Sequence, residues 1–372
     1  MQKIAFYMHN FNGGGAEKVT ITLADLLYKD GFDVSIIVKN NTGVLSSTVP
    51  KYIKIIDLNV SNSTKILRNI VNVLKLIQIF NKNEFKCIIS VTRGMNLIAS
   101  IARRLAIKTN IPLLGTIHNS VSQEKINYPK IKNYLTKKLD RQLNKIIVVS
   151  EDARKEYVNL TKVDPNKTIT IYNPVVSSDI IRKSENSCPH PWLKTNRNFK
   201  TIITAGRLTY QKNQILLLEM LIKLKEEVDV RLIILGEGEL RKELELFCKN
   251  NNIEKFVDFV GFVDNPYSYF KHADAFILSS RYEGLPTVLI EALACGCNIV
   301  STDCPTGPKE ILDENKYGFL CKLNDSDDLL LKTKKCLNNP INKSKLVKHS
   351  LEYSTEKSKS QYVKLMREVI NG

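Results

Sequence analysis

The chain has no Cys-x-x-Cys pair, no uninterrupted apolar run near the roughly 18 residues that cross a bilayer, a single tryptophan and only five histidines. The missing pair removes zinc-ribbon and thiol-redox readings. The eight cysteines (Cys87, Cys188, Cys248, Cys295, Cys297, Cys304, Cys321 and Cys336) are scattered, several in runs that read as buried strands or helices, which suits a reduced, cytosolic setting. Met1-Gln2-Lys3 runs directly into a strand, so no signal peptide is expected. The protein is expected to be cytoplasmic, soluble or peripheral on a membrane. Acidic residues are scarce in the front half. Residues 1–185 carry 28 Lys and Arg against 14 Asp and Glu, whereas residues 186–372 carry 27 against 24. The front half is therefore expected to face an anionic partner such as membrane headgroups. Nucleic acid is excluded, because the basic excess comes with neither interleaved aromatics nor a recognition motif.

At 372 residues with 43% hydrophobic content the chain is long for one core, and two domains are expected. Residues 3–8 read as an apolar strand, followed by Asn10-Phe11-Asn12-Gly13-Gly14-Gly15 and a helix marked by Val19, Ile21, Leu23, Leu26 and Leu27. A strand at 34–38 completes a βαβ start, and apolar runs at 87–91, 113–117, 146–149 and 169–172 continue a parallel, doubly wound sheet. The glycines admit a phosphate or an acceptor close to the backbone, or simply make a tight turn. They do not spell the Gly-x-Gly-x-x-Gly of a nicotinamide site.

Residues 64–82 place Ile66, Leu67, Ile70, Val71, Leu74 and Ile77 on a face expected to pack on the sheet. Lys65, Arg68, Asn72, Lys75 and Lys82 form a polar line that is either merely solvated or receives acceptor phosphates. Of the five histidines, His118 ends the strand 113–117 at the carboxyl edge of a parallel sheet, where open α/β sheets bind ligands; a loop-anchoring role is the alternative. His9 also ends a strand, and His190, His272 and His349 read as loop or helix-surface residues. Between Tyr172-Asn173-Pro174 and Arg197-Asn198 periodicity gives way to Ser184, Ser187, Pro189 and Pro191, as in a linker.

A second alternation follows, with strands at 201–205, 231–235, 257–260, 275–278 and 298–301 and helices at 214–227, 239–250, 267–272 and 286–295. At its first turn, Arg207 and Lys212 are two cations on a sheet's carboxyl edge, suited to a diphosphate or else simply solvated. Gly236-Glu237-Gly238 reads as a turn. Asp325-Ser326-Asp327 looks like a metal-binding carboxylate pair but stands where helix caps stand, so no metal is expected.

The stretch richest in chemistry is Ser280-Arg281-Tyr282-Glu283-Gly284-Leu285-Pro286-Thr287-Val288-Leu289-Ile290-Glu291. Pro286 is expected at the first helical position. Gly284, Leu285, Thr287 and Val288 then offer amides without intrahelical partners to a ligand, with Glu283 at the mouth and Glu291 one turn above Thr287. Alternatively, Glu283 caps the helix and Glu291 is solvated.

Glu-x7-Glu in a Glu-Gly-Leu-Pro context, Gly206-Arg207 with Lys212-Asn213, the Gly13 to Gly15 loop and His118 together resemble the retaining glycosyltransferases of family 4 over nearly the whole chain. The resemblance implies an α/β GT-B fold: two doubly wound Rossmann-like domains, 1–173 and 174–353, facing across a cleft, with a last helix at 354–372 crossing back. It implies a metal-independent enzyme with no cofactor that uses a nucleotide-sugar donor, with UDP-Gal, UDP-GalNAc, UDP-Glc and UDP-GlcNAc as candidates. Arg207 and Lys212 would hold the donor diphosphate and Glu291 the ribose. Glu283, Gly284, Leu285 and Pro286 would hold the sugar, with His118 near its 6-hydroxyl. Gly14, Gly15 and Val263 are counted with the donor site, and Gly13, Lys65, Arg68 and Lys75 with the acceptor. Asp303-Cys304-Pro305-Thr306-Gly307-Pro308 looks like bacterial members that act on surface-polysaccharide or lipid-linked oligosaccharide precursors. A glycan or polyprenyl-diphosphate saccharide is thus the expected acceptor. The alternative is a UDP-sugar epimerase on the same fold.

Overall fold

The structure, a computed structural model, describes residues 1–12, 14–60, 65–107, 109–118, 120, 138–187, 190–194 and 196–371. It divides into two compact units, one of Met1–Pro174 with Thr355–Gly372 and one of Val175–Ser354.

The first unit runs β1 (Gln2–Met8), α1 (Gly15–Lys29), β2 (Phe32–Val38), β3 (Lys54–Asp57), α2 (Lys65–Lys82), β4 (Cys87–Ser90), α3 (Arg93–Leu105), β5 (Leu113–Ile117), β6 (Lys145–Val148), α4 (Glu151–Thr161) and β7 (Thr168–Thr170). Its seven strands are all parallel, in the order β3-β2-β1-β4-β5-β6-β7. A parallel sheet is covered on both faces, which is why its strands are apolar at consecutive positions rather than alternately. In β1, Ile4, Phe6 and Met8 enter a core shared with α1, while Ala5 and Tyr7 enter the opposite core with Leu76 and Phe80 of α2. Helix boundaries follow local chemistry: Ser150 accepts from the Ala153 amide to cap α4, and Lys162 in the left-handed region ends it.

The second unit opens with α5 (Ser178–Ser184) and continues β8 (Lys200–Ala205), α6 (Gln214–Leu224), β9 (Val230–Leu235), α7 (Arg241–Asn250), β10 (Val257–Gly261), α8 (Tyr267–His272), β11 (Ala275–Leu278), α9 (Thr287–Ala294), β12 (Ile299–Thr302), α10 (Pro308–Ile311), β13 (Phe319–Cys321), α11 (Ser326–Asn338) and α12 (Lys343–Ser350). Its six parallel strands are ordered β10-β9-β8-β11-β12-β13. The last helix, α13 (Thr355–Asn371), returns to the first unit, where Tyr362, Val363, Leu365 and Met366 join the core around β1. In both sheets the strand order reverses beside the first strand, creating the switch point at which such sheets bind ligands.

Three expectations are corrected. The described residues of the supposed linker beyond Pro174 belong to the second unit: they include α5, and His190, read as a loop or helix-surface residue, is buried with Nε2 2.9 Å from Asp258. Pro286 is not the first helical residue but the N-cap of α9. Helix α2 is rotated from the expected orientation. Val71 and Ile77 pack against the core as expected, but Asn72, Leu76 and Phe80 are the buried residues, while Ile66, Leu67, Ile70 and Leu74 are each at least half exposed. The periodicity misled because apolar residues occur nearly all round this helix, and the sheet selected the face whose Asn72 amide donates to the buried Tyr7 hydroxyl at 2.7 Å.

Candidate functional site

In the second unit, the turns that leave β8 and β11 meet at the switch point. Hydrogen bonds join them, and four of these frame the site. The Arg281 amide donates to the Gln211 carbonyl at 2.8 Å, the Gln211 side-chain amide to the Tyr282 carbonyl at 2.9 Å and Ser279 Oγ to the Lys212 carbonyl at 2.9 Å. The fourth is the functional one: Lys212 Nζ lies 2.7 Å from Glu283 Oε1. The buried Ser280 hydroxyl donates to the same oxygen at 2.6 Å. With the Lys212 and Glu283 side chains only 20% and 8% exposed, this ion pair is held with little water, and both donors converge on Oε1, leaving Oε2 as an acceptor.

The loop carrying Glu283 is braced from behind by residues 303–307. Thr306 Oγ1 donates to the Glu283 carbonyl at 2.5 Å. Gly307 (φ 93°) lets this loop touch the Glu283 turn, since a Cβ there would stand 2.5 Å from Pro286 Cδ. The turn of Arg207 is braced similarly by Gly236 and Gly238. A Cβ on Gly236 (φ 127°) would collide with the Gly206 carbonyl oxygen, and one on Gly238 with the Leu208 backbone. The Leu208 amide donates to the Glu237 carbonyl at 3.0 Å in return. Sequence reasoning assigned no role to Ser280, Thr306 or the two glycines. Two glycines one residue apart, directly after a buried strand, were the available signal for the last pair.

Arg207 is exposed beside this network, and among the described residues its guanidinium makes no hydrogen bond or ion pair. Gly284, Leu285 and Pro286 are buried in the turn before α9, and Glu291 is half-buried one turn beyond Thr287. Burial, with the Glu291 carboxylate second, pushes the Tyr267 phenol up, which puts that carboxylate near Tyr267. Val263 lines an open pocket of about 590 Å³ with Asn186, Ser187, Asp264, Asn265, Ser268 and Tyr269. Asp325 is the N-cap of α11, accepting from the Asp327 and Asp328 amides. No group of three metal-ligating side chains occurs among the described residues.

In the first unit, Gly14 caps α1 and Gly15 opens it with nothing within 4 Å of where a Cβ would stand; Gly13 lies outside the described residues. His118 Nε2 is 3.0 Å from Thr116 Oγ1. The Thr116 hydroxyl donates to the Ser90 carbonyl at 3.3 Å, so it accepts from His118 Nε2–H and leaves Nδ1 as the ring's acceptor. Burial draws the imidazole down to about pKa 4, so it is neutral at pH 7. Of the residues proposed for the acceptor, Lys65 opens α2, Arg68 lies on its inward side, and Lys75 is tied to the backbone carbonyls of Leu58 and, at 3.1 Å, of Asn59. Lys75 is thereby a lash between α2 and the segment after β3.

Two doubly wound units, with a lysine–glutamate pair at the switch point of the second, define a transferase of activated sugars, and the comparisons with known proteins agree. Residues 13–178 match the model of Glycosyltransferase Family 4, and residues 191–353 that of glycosyl transferases group 1. A Campylobacter jejuni N-acetylgalactosamine-N,N'-diacetylbacillosaminyl-diphospho-undecaprenol 4-alpha-N-acetylgalactosaminyltransferase is 30% identical over 339 residues, 88% of each chain. A second protein of that organism, a GalNAc-alpha-(1->4)-GalNAc-alpha-(1->3)-diNAcBac-PP-undecaprenol alpha-1,4-N-acetyl-D-galactosaminyltransferase, is 28% identical over the whole of both chains. Among solved structures, a glycosyltransferase of Rickettsia africae ESF-5 superposes with a TM-score of 0.83 at 19% identity, over 100% of this chain and 99% of its own. Anabaena HepE, solved with UDP and glucose, gives 0.79 at 19% identity over 98% and 99%. The chain is a glycosyltransferase of family 4 with the GT-B fold.

Proposed function

We propose that this enzyme transfers a hexose or N-acetylhexosamine from a UDP-sugar to a lipid-linked diphosphate saccharide, with retention at the anomeric carbon and without a metal. The observation that carries the reading is the Lys212–Glu283–Ser280 network beside the unpaired Arg207. The two cations take up the charge that develops on the departing diphosphate, a role a metal ion would otherwise fill. Glu283 Oε2 and the amides of the α9 first turn face the sugar hydroxyls, and Glu291 faces the ribose. In the first unit, neutral His118 offers Nδ1 to a hydroxyl, and the α1 N-terminus at Gly14 and Gly15 suits an anionic group. As the bond to the diphosphate breaks, the acceptor oxygen bonds to the anomeric carbon on the same face, and its proton passes to a phosphate oxygen. No protein base is then required.

A lipid-linked acceptor places the enzyme at the inner face of a membrane. No helix among the described residues is long and apolar enough to cross one. Peripheral attachment is supported by the outward apolar row on α2 and by charge. The first unit carries 30 Lys and Arg against 14 Asp and Glu, a net of +16, and the second 25 against 24. Such a combination suits an anionic interface.

The test is incubation with each labelled UDP-sugar and extracted lipid-linked saccharides, with product analysis in the absence of acceptor as a second arm. Transfer from one donor is expected, lost in Lys212→Ala and Glu283→Ala. Full activity of either variant, or turnover of the sugar without acceptor, overturns the reading.

A further inference from the structure

Where β1 and β2 end, the first unit gathers cations that form no ion pair with a carboxylate among the described residues. Tyr7 pairs with Ile37 in the register of the two strands, and both side chains enter the core beneath α2. Two residues further on, the same alternation puts His9 and Lys39 opposite one another on that side of the sheet. The Lys39 amide donates to the His9 carbonyl at 3.1 Å, which keeps the pair in step. Above them lies α2. Asn72 bonds the Tyr7 hydroxyl, so Arg68, one turn toward the helix N-terminus on the same face, stands over the continuation of β1.

Their state is unusual. Lys39 is only 7% exposed, yet among the described residues its ammonium makes no hydrogen bond or ion pair. Arg68 Nε is buried without a partner. Buried charges are ordinarily paired, and like charges brought together out of water repel. The repulsion is visible in the titrating groups. Lys39 is held below its ordinary pKa by burial and then by Arg68. His9 is lowered by burial and then by Lys39, with Arg68 adding to the effect and the Glu17 carboxylate opposing it. Glu17 folds back onto Gly14 and forms no ion pair with any of the three.

We propose that Lys39, Arg68 and His9 form a seat for a phosphate or diphosphate ester at the carboxyl ends of β1 and β2. A dianion there meets an ammonium, a guanidinium and an imidazole, and satisfies the orphaned Nε. The seat deepens the acceptor reading and rests on it for one source of the ligand, the diphosphate of a lipid-linked saccharide; the other source is free phosphate. It also moves the anion site away from Lys75, whose ammonium is already engaged.

The experiment titrates inorganic diphosphate into the full chain by calorimetry, with UDP saturating so that Arg207 and Lys212 are occupied. Wild type is expected to bind, and Lys39→Met and Arg68→Gln each to weaken binding about tenfold or more, the loss of one charge-assisted contact. Without diphosphate, Lys39→Met is expected to melt no lower than wild type, because a residue kept for a ligand is costly to the empty fold. Unchanged diphosphate binding in Lys39→Met, or a lower melting temperature with unchanged binding, overturns the seat. A kinetic arm separates the sources. If the seat takes the acceptor, Lys39→Met raises KM for a lipid-diphosphate saccharide about tenfold while leaving KM for the same saccharide on a neutral lipid unchanged. Equal shifts for both acceptors overturn the seat and leave the transferase reading intact. Diphosphate binding that depends on Lys39 in a chain that glycosylates no lipid-linked saccharide upholds the seat, assigns it to free phosphate and removes the acceptor reading.

Discussion

Replacing Glu283 by alanine removes the oxygen on which Lys212 and Ser280 converge, leaving an ammonium 20% exposed and a fully buried hydroxyl without their partner. At 2.7 Å and an effective dielectric near 20, the gross attraction of the pair is about 6 kcal/mol, most of it offset by desolvation. Removing one member of a fully buried pair costs about 3–5 kcal/mol. Since water still reaches Lys212, about 2–3 kcal/mol is expected for Glu283→Ala, and about 1 kcal/mol for Glu283→Gln, whose carbonyl still accepts both bonds. Lys212→Met leaves Glu283 with Ser280 alone and is expected to cost about 1–2 kcal/mol. The two losses share one interaction. A double-mutant cycle on urea midpoints should therefore return a coupling of about 1.5 kcal/mol with unchanged m-values. Additivity within about 0.5 kcal/mol would show that the pair does not form in solution, and the geometry proposed for the sugar would fall with it. The same variants report binding: if Lys212 faces the diphosphate, the rise in melting temperature that UDP gives wild type should vanish in Lys212→Met.

Three further outcomes follow from the geometry. Gly236→Ala should cost about 3 kcal/mol and abolish the UDP-induced stabilisation, because its Cβ collides with the Gly206 carbonyl at a positive φ. Gly15→Ala, where nothing lies within 4 Å, should be neutral in stability to about 0.5 kcal/mol, as calorimetric melting of the pair will check. His118 has its folded pKa below the unfolded value, so its contribution is complete above about pH 6.5 and is lost as pH falls toward 4. The loss is at most about 3 kcal/mol, since the ring keeps some exposure, and a urea-midpoint profile against His118→Asn that stays parallel from pH 7 to 4 would refute it. Substituting Ile66, Ile70 and Leu74 together by serine should leave stability nearly unchanged, because all three are exposed. It should strip the protein from phosphatidylglycerol vesicles in a sedimentation assay, each apolar side chain contributing about 1 kcal/mol or more; undiminished sedimentation would remove α2 from the interface.

Strands and their alternation with helices were legible because a parallel sheet buries both faces, so β5 and β11 stand out as short, mostly apolar stretches in the sequence at the bounds the structure shows. The edge strands β3 and β13 were not, although the edge strands β7 and β10 were. β3 and β13 lie at sheet margins, and the tripeptide Phe319–Cys321 carries too few residues to show a period. Helix α2 failed for the opposite reason, an excess of apolar positions that left the buried face to be chosen by Tyr7 and the sheet. In the site, Lys212 and Glu283 were visible as charged residues after strands, but their contact at a separation of 71 residues depends on β8 and β11 being neighbours, which is a property of strand order. Ser280 and Thr306 carry no motif of their own. Their importance lies in which oxygen they reach.

On the proposed function, charge is divided between the units according to the range over which each would act. The second unit is nearly neutral at +1, although it carries the cations proposed for the diphosphate, of which Lys212 is paired with Glu283. A seat of that kind works through short contacts in a site with little water, where salt has slight influence. The first unit's +16 is too large for one seat. Lys39, Arg68 and His9 account for a small part of it, and the rest is spread over a surface where each charge is felt only within about 8 Å at physiological salt. Spread charge of that range does little for a small ligand but adds up against a flat anionic layer, at about 1 kcal/mol per residue that reaches it. The two interactions should therefore separate on raising ionic strength, vesicle association falling steeply while UDP binding changes little.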